Sequence, residues 1–149
     1  LEYDYKTQKE MKISAGIIIR YKDSILLCHP TNAPWKDSYS FPKGLVEDDE
    51  DLIDAAIREC FEETGIRVTR EQIVNRFVVP YKKGRNFFKK VYLYQINIDS
   101  LGELELTNEV VDKSQLQLEE VDWAGFVPKQ QVEEKIFWRF KPILNEIFN

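Results

Sequence analysis

Histidine is almost absent from this chain: His29 is the only one in 149 residues, beside two cysteines, Cys28 and Cys60. One histidine builds neither a histidine-based metal site nor a Ser–His triad. Two cysteines are too few for a disulfide framework. Cys28 closes the apolar run SILLC and Cys60 falls on an apolar helix face, so both are expected as reduced core residues of a cytoplasmic protein. No stretch approaches 18 uninterrupted apolar residues, which removes a membrane-spanning helix. The opening LEYDYKTQKE lacks the charged-then-apolar layout of a signal peptide. It does not begin with Met, and residues 1–11 read as a tail, partly cloning-derived. Repeats, low-complexity segments and linkers are also missing, so residues 1–149 are expected as a single domain long enough for a real core. Any catalysis is left to carboxylates.

Carboxylates are abundant. The net charge is −5, which argues against a general nucleic-acid coat. The acids concentrate between Gly44 and Ile66, in GLVEDDEDLIDAAIRECFEETGI. Ile53, Ala56, Ile57, Cys60 and Phe61 have the spacing of a buried helix face. At about 100° per residue, Glu59, Glu62 and Glu63 share an arc of roughly 100° elsewhere on that helix. Two such carboxylates about 5 to 6 Å apart repel by roughly 3 kcal/mol at an effective dielectric near 20. A hard divalent cation with oxygen ligands, Mg²⁺ or Mn²⁺, would turn the repulsion into coordination. A solvated acidic face is the alternative. Asp48 or Asp49 is placed to cap the helix, Gly65 to end it, and Arg58 to pair with Glu62 four residues on.

The stretch resembles the Nudix hydrolase signature, which runs Gly, five residues, Glu, seven residues, then Arg-Glu-apolar-any-Glu-Glu-any-Gly-apolar. Gly44, Glu50, Arg58, Glu59, Cys60, Glu62, Glu63, Gly65 and Ile66 fill every specified place. A chance match is below about 10⁻⁹ per start position at average residue frequencies. The resemblance implies a mixed β-sheet between helices, the Nudix α/β/α sandwich, in keeping with the α+β order read from the chain. It implies cleavage of a phosphoanhydride bond in a nucleoside diphosphate linked to another group. Glu59, Glu62 and Glu63 would hold Mg²⁺ or Mn²⁺, with the Lys43 backbone carbonyl as an extra ligand, and which glutamate is the base stays open. Gly44, Glu50 and Arg58 would support those ligands from behind. Many relatives add an acid before a later strand containing Trp; Glu120, with Glu119 in reserve, precedes Val121-Asp122-Trp123 here.

Outside the signature, 12–21 and 24–29 read as a hairpin and 30–40 as a loop. Strands are expected at 71–80 and 87–98 around a turn at 82–86, and at 121–126. A helical tail opens at Pro128 and should break or kink at Pro142. Trp35, Tyr81 and Phe87 could each stack on a base or fill core, with core favoured for Phe87. Lys82, Lys83, Arg85, Lys89 and Lys90 could grip a phosphate chain or guard a hairpin edge. The run Trp35 through Phe41-Pro42-Lys43-Gly44, and Tyr81 sixteen residues past Gly65, resemble dinucleoside-polyphosphate hydrolases and enzymes acting on 5′-phosphorylated RNA ends. Pro80, one place earlier, resembles ADP-ribose and nucleotide-sugar pyrophosphatases. A small nucleotide polyphosphate or an RNA 5′ end is therefore the expected partner, with no membrane, and the protein a monomer or homodimer. A Nudix-fold module that senses a nucleotide without cleaving it is the other class.

Overall fold

The computed structural model describes residues 2–4 and 9–149, with side chains from Met11 onward. The sheet is built on β2, Lys9–Tyr21. Its stretch Ile17-Ile18-Ile19 is fully buried on both faces, which suits a β-branched central strand. On one side β2 runs parallel to β6, Asn86–Ile98, in register from Lys12 opposite Lys89 to Tyr21 opposite Ile98. On the other side it divides its edge. Gly16, Ala15 and Ser14 pair with Lys43, Gly44 and Leu45 of β4, Lys43–Leu45, while Arg20 and Tyr21 pair with the start of β3, Ser24–Pro30. β5, Ile73–Lys83, pairs with β6 and β7, Val121–Pro128, with β3, giving the order β5-β6-β2-β3-β7. The expected hairpins are in place. Within the stretch set aside as a tail, Glu2–Asp4 (β1) pairs antiparallel with Lys9–Met11.

Helix α1, Leu52–Thr64, covers one face of this sheet. Asp51, rather than Asp48 or Asp49, is its N-cap, and its Oδ2 accepts from the N–H groups of Ile53 and Asp54 at 3.0 and 3.1 Å. Asp49 cannot take that place because its backbone is already committed to a left-handed turn, φ 63°. The helix ends as expected at Gly65, φ 74°, whose N–H returns to the Phe61 carbonyl at 2.8 Å. Ala55, Ala56 and Cys60 form its buried line. Phe61, expected on that line, is exposed under the Arg67 guanidinium, because the buried line is carried by the smaller residues. Residues 99–120 pass through short 3₁₀ turns and meet β7 at Glu109–Val111, and Leu104, Leu106, Val111 and Leu116 close this core.

The opposite face is covered by the C-terminal segment. α2 spans Lys129–Lys135, a 3₁₀ turn spans Trp138–Ile143, and α3 is the single turn Leu144–Ile147. The break falls at Ile136 and not at Pro142, which sits inside the 3₁₀ turn. The reason is a strand-like contact: Tyr39 N–H donates to the Lys135 carbonyl at 3.0 Å and Phe137 N–H to the Tyr39 carbonyl at 2.8 Å. That contact holds the chain extended where helix would continue. Two packed faces on one mixed sheet make the α/β/α sandwich.

Phe140 anchors this second layer, fully buried against Phe41, Tyr81 and Phe137. Phe140→Ala should lower unfolding stability by about 3–5 kcal/mol, read from denaturant midpoints at unchanged m.

Candidate active site

The ladder between β2 and β4 sets the peptide orientations at the site. Ile17 N–H donates to the Pro42 carbonyl at 3.1 Å and Val46 N–H to the Ile13 carbonyl at 3.0 Å. In an antiparallel pair the alternate residues, Lys43 and Leu45, therefore turn their peptide groups away from β2. They meet α1 there. Lys43 N–H donates to Glu63 Oε1 at 3.3 Å, and the Leu45 carbonyl accepts from Arg58 Nη2 at 3.2 Å. The Lys43 carbonyl faces the same way.

Gly44 lies between them. A Cβ on it would stand 2.2 Å from the Glu59 carboxylate carbon, so the missing side chain is what lets that carboxylate rest on the β4 backbone. Close approach is the requirement here, not left-handed backbone.

Arg58 organises the remaining acids. Its Nε and Nη2 donate to the two Glu50 oxygens at 2.8 and 2.9 Å. Its Nη1 donates to Glu59 Oε1 at 2.9 Å and to Glu62 at 3.2 Å. The hydrogen bond to Arg58 holds the Glu50 carboxyl below its ordinary range. Glu59 is pushed up, chiefly by burial and against the pull of Arg58. Glu63 is pushed up to about 8, first by burial, then by the neighbouring charges of Glu59 and Glu120, with Lys43 opposing.

Glu63, Glu120 and Lys43 line a hollow of about 160 Å³ together with Cys28, Ser40 and Phe41. Glu119 is exposed and does not line it. Among the described residues no three His, Cys, Asp or Glu side chains converge on one point as a metal cage. Arg58 draws Glu59 and Glu62 to itself, while Glu63 turns to Lys43. In type, the donors fit a hard divalent ion: every one is an oxygen, and Glu63 is a half-buried carboxylate beside two others.

The other residues singled out from the sequence separate. Lys89 lies on the sheet face of Lys43, close enough for Lys43 and Lys12 to help burial bring its amine down to about 8. Lys83 and Arg85 stand at the exposed tip of the β5–β6 hairpin, beyond that group. Tyr81 is only 8 % exposed: Phe88, Phe137 and Phe140 meet its ring, and Lys89 and Arg139 lie over it, so of the two readings open for it, base platform and core, it fills core. Phe87, expected in the core, is exposed, because it opposes Lys82 beside the hairpin tip.

Trp35 lies flat on His29, with ring centroids 3.5 Å apart. His29 is completely buried between the Asp122 carboxylate, 2.5 Å from Nδ1, and the Pro34 carbonyl, 3.0 Å from Nε2. This pairing, like the position of Lys12 and of Arg139 over Tyr81, escaped the sequence reading. No local spacing connects residues 93 apart, and Lys12 carried only its place in an apolar strand.

A family model described as NUDIX domain matches residues 11–144. The mRNA-decapping protein g5R of African swine fever virus (isolate Warthog/Namibia/Wart80/1980) is 29% identical over 119 residues, 74% of this chain and 46% of that protein. The chain thus spans under half the length of that curated relative. A Caenorhabditis elegans (C. elegans) Ap4A hydrolase, solved as a binary complex, superposes with a TM-score of 0.62 at 22% identity, over 92% of this chain and 93% of that one. A bifunctional NMN adenylyltransferase/ADP ribose pyrophosphatase from Francisella tularensis, complexed with AMP and Mn ion, gives 0.66 at 22% identity, over 94% and 42%. Below 25% identity these two establish the fold alone.

Two predictions come from the charges. Arg58→Ala leaves partly buried carboxylates uncompensated and should cost about 3–5 kcal/mol of stability in denaturant unfolding. For Glu63, the folded carboxyl keeps its proton over a range where the unfolded one has lost it. Its contribution is therefore neutral below the ordinary value of 4.5, turns against the fold as pH rises from there, and levels off above about 8. In chelator, Glu63→Gln should flatten the loss of stability between pH 4.5 and about 8; a slope equal to the parent's would count against this assignment.

Proposed function

Because the chain belongs to the Nudix family, we propose that it is a metal-dependent pyrophosphohydrolase of nucleotides bearing a long phosphate chain. Dinucleoside polyphosphates and 5′-phosphorylated RNA ends are the leading substrates. The observation that carries this reading is the carboxylate set itself. Glu59 and Glu62 are held by Arg58 and Glu63 by the Lys43 N–H, on neighbouring turns of α1 against β4, where Gly44 makes room for Glu59. A module that senses a nucleotide without cleaving it would be expected to lose signature acids, and this chain keeps all of them.

In this reading Glu59, Glu62 and Glu63 hold Mg²⁺ or Mn²⁺, with the outward carbonyl of Lys43 beside them. Such an ion, when bound, supplies positive charge against the phosphates and makes a nearby water more acidic. The chain's own groups do the rest. One carboxylate of the set, with Glu120 across the hollow, takes the proton of the attacking water. Lys43, Lys89 and Lys12 on one sheet face draw the phosphate chain toward the carboxylates by charge. Arg58, bound to Glu50 on its far side, keeps Glu59 and Glu62 oriented toward β4.

The names of the relatives support the two leading substrates: one is a decapping protein, another an Ap4A hydrolase. ADP-ribose is the second reading, suggested by Pro80 and by the Francisella neighbour. Pro80 has a sufficient structural reason, however. It lies on the edge strand β5, the part of a sheet where proline is tolerated.

The test is product identification by mass from diadenosine tetraphosphate, 5′-triphosphorylated RNA, ADP-ribose, 8-oxo-dGTP and ordinary nucleoside triphosphates, with Mg²⁺ or Mn²⁺. The first two should lead. Glu62→Gln and Glu63→Gln should each lower kcat by about 10²–10⁴-fold while the chain stays folded. Tight binding of a substrate with no turnover in either metal would sink the enzyme reading.

A further inference from the structure

Trp35 and Trp138 are both exposed, at 60% and 57%, but their surroundings differ. Trp35 uses one face on His29, and Trp138 one face on the Arg139 guanidinium. Trp138 stands at the mouth of a cleft of about 440 Å³ between the outer edge of β5 and the 3₁₀ turn Trp138–Ile143. Val78, Pro80, Phe87 and Pro142 supply its apolar walls. Its charge is positive: the Arg139 guanidinium lies 4.3 Å from the Trp138 ring centroid, and Lys82 Nζ lies 5.4 Å from that of Phe87. Arg139 Nη1 is held by the Lys82 carbonyl at 3.3 Å, so the cation is fixed at the cleft.

The cleft also connects to the catalytic side. Arg139 lies 4.8 Å over the Tyr81 ring and Lys89 Nζ 5.2 Å over the same ring, so positive charge continues from the cleft, across Tyr81, toward Lys43. At this level the strands run β4-β2-β6-β5. Three spacings of about 4.8 Å separate Gly44 from Val78 in one row, and Lys82, whose carbonyl holds Arg139, is four residues farther along β5, so the Arg139 end of the cleft lies roughly 20 Å from β4, where the carboxylates rest.

We propose that this cleft is a nucleobase subsite, in which Trp138 stacks on a base of the substrate while Arg139 receives the phosphate next to its ribose. The inference rests on the pyrophosphohydrolase reading above and narrows it. A base held that far from the carboxylates suits a substrate with a long phosphate chain between base and cleaved bond, and suits a two-phosphate compound such as ADP-ribose poorly. Tyr81, packed in the core, then serves as the floor between Arg139 and Lys89 and not as the stacking ring. Trp35 belongs to the 30–40 loop and takes no part in base selection.

The experiment is steady-state hydrolysis of diadenosine tetraphosphate by the full chain in Mg²⁺, with inorganic tripolyphosphate as a competing, base-free probe. Trp138→Ala should raise KM by about tenfold or more, the loss of one stacking contact. It should leave kcat within about twofold and the inhibition constant of tripolyphosphate unchanged. Trp138→Phe should restore most of the affinity, and Trp35→Ala should leave KM alone. The proposal is overturned if Trp138→Ala leaves KM unchanged, if it weakens tripolyphosphate equally, or if Trp35→Ala produces the KM effect instead. In each of those cases wild-type turnover still upholds the pyrophosphohydrolase reading. If the wild-type chain cleaves no polyphosphate at all, that reading fails and the subsite falls with it.

Discussion

Arg58 reaches from the middle of α1 to both oxygens of Glu50, to Glu59, to Glu62 and to the Leu45 carbonyl. Without that cation the acids of the Gly44–Ile66 stretch would have to spread into water, because carboxylates held this close repel by several kcal/mol at low dielectric. With it, the β4–α1 connection is drawn tight enough that Gly44 touches the Glu59 carboxylate. The same contact fixes where β4 lies on α1, and hence which peptide groups of β4 face the site. Helix, strand and carboxylates are therefore positioned by one guanidinium. It holds only part of the set, since Glu63 is left with the Lys43 N–H and the weak help of a half-buried lysine.

That incomplete compensation connects fold to chemistry. A site fully neutralised by its own cations would have little use for a divalent ion. A site with no internal cation would be hard to fold. Here the outer acids are paired on Arg58 and the inner one, Glu63, is pushed toward its neutral form by burial and by its acidic neighbours. The second layer of the sandwich makes a separate contribution. By turning extended at Ile136 to meet Tyr39, the C-terminal segment brings Trp138 and Arg139 to the edge of β5. The carboxylates and the cationic aromatic cleft thus lie at different places on one sheet, bridged by lysines on a single face.

Much of this was legible in the sequence, and the reason is locality. The Glu59–Glu62–Glu63 arc, the Arg58–Glu62 pair, the Gly65 stop and the two hairpins depend on residues a few places apart, where helix and strand periods decide what meets what. The N-cap was misplaced by two or three residues because several acids in a row all qualify by type. Only the backbone, left-handed at Asp49 and extended at Asp51, chooses among them. Phe61 was misassigned because α1 buries its smaller residues and leaves that ring outside.

The sequence by itself determined the acidic helix, its spacing against Gly44, the β-branched centre of the sheet and, through these, the family. What only the tertiary structure decided are contacts between distant segments: His29 with Asp122 and Trp35, Tyr81 sealed beneath Phe137 and Phe140, and Arg139 joining Trp138 to Lys82. An aromatic residue has no local mark that tells core from platform. The difference between Tyr81 and Trp138 lies in what other strands and turns place over each ring, and burial is a property of the assembled chain.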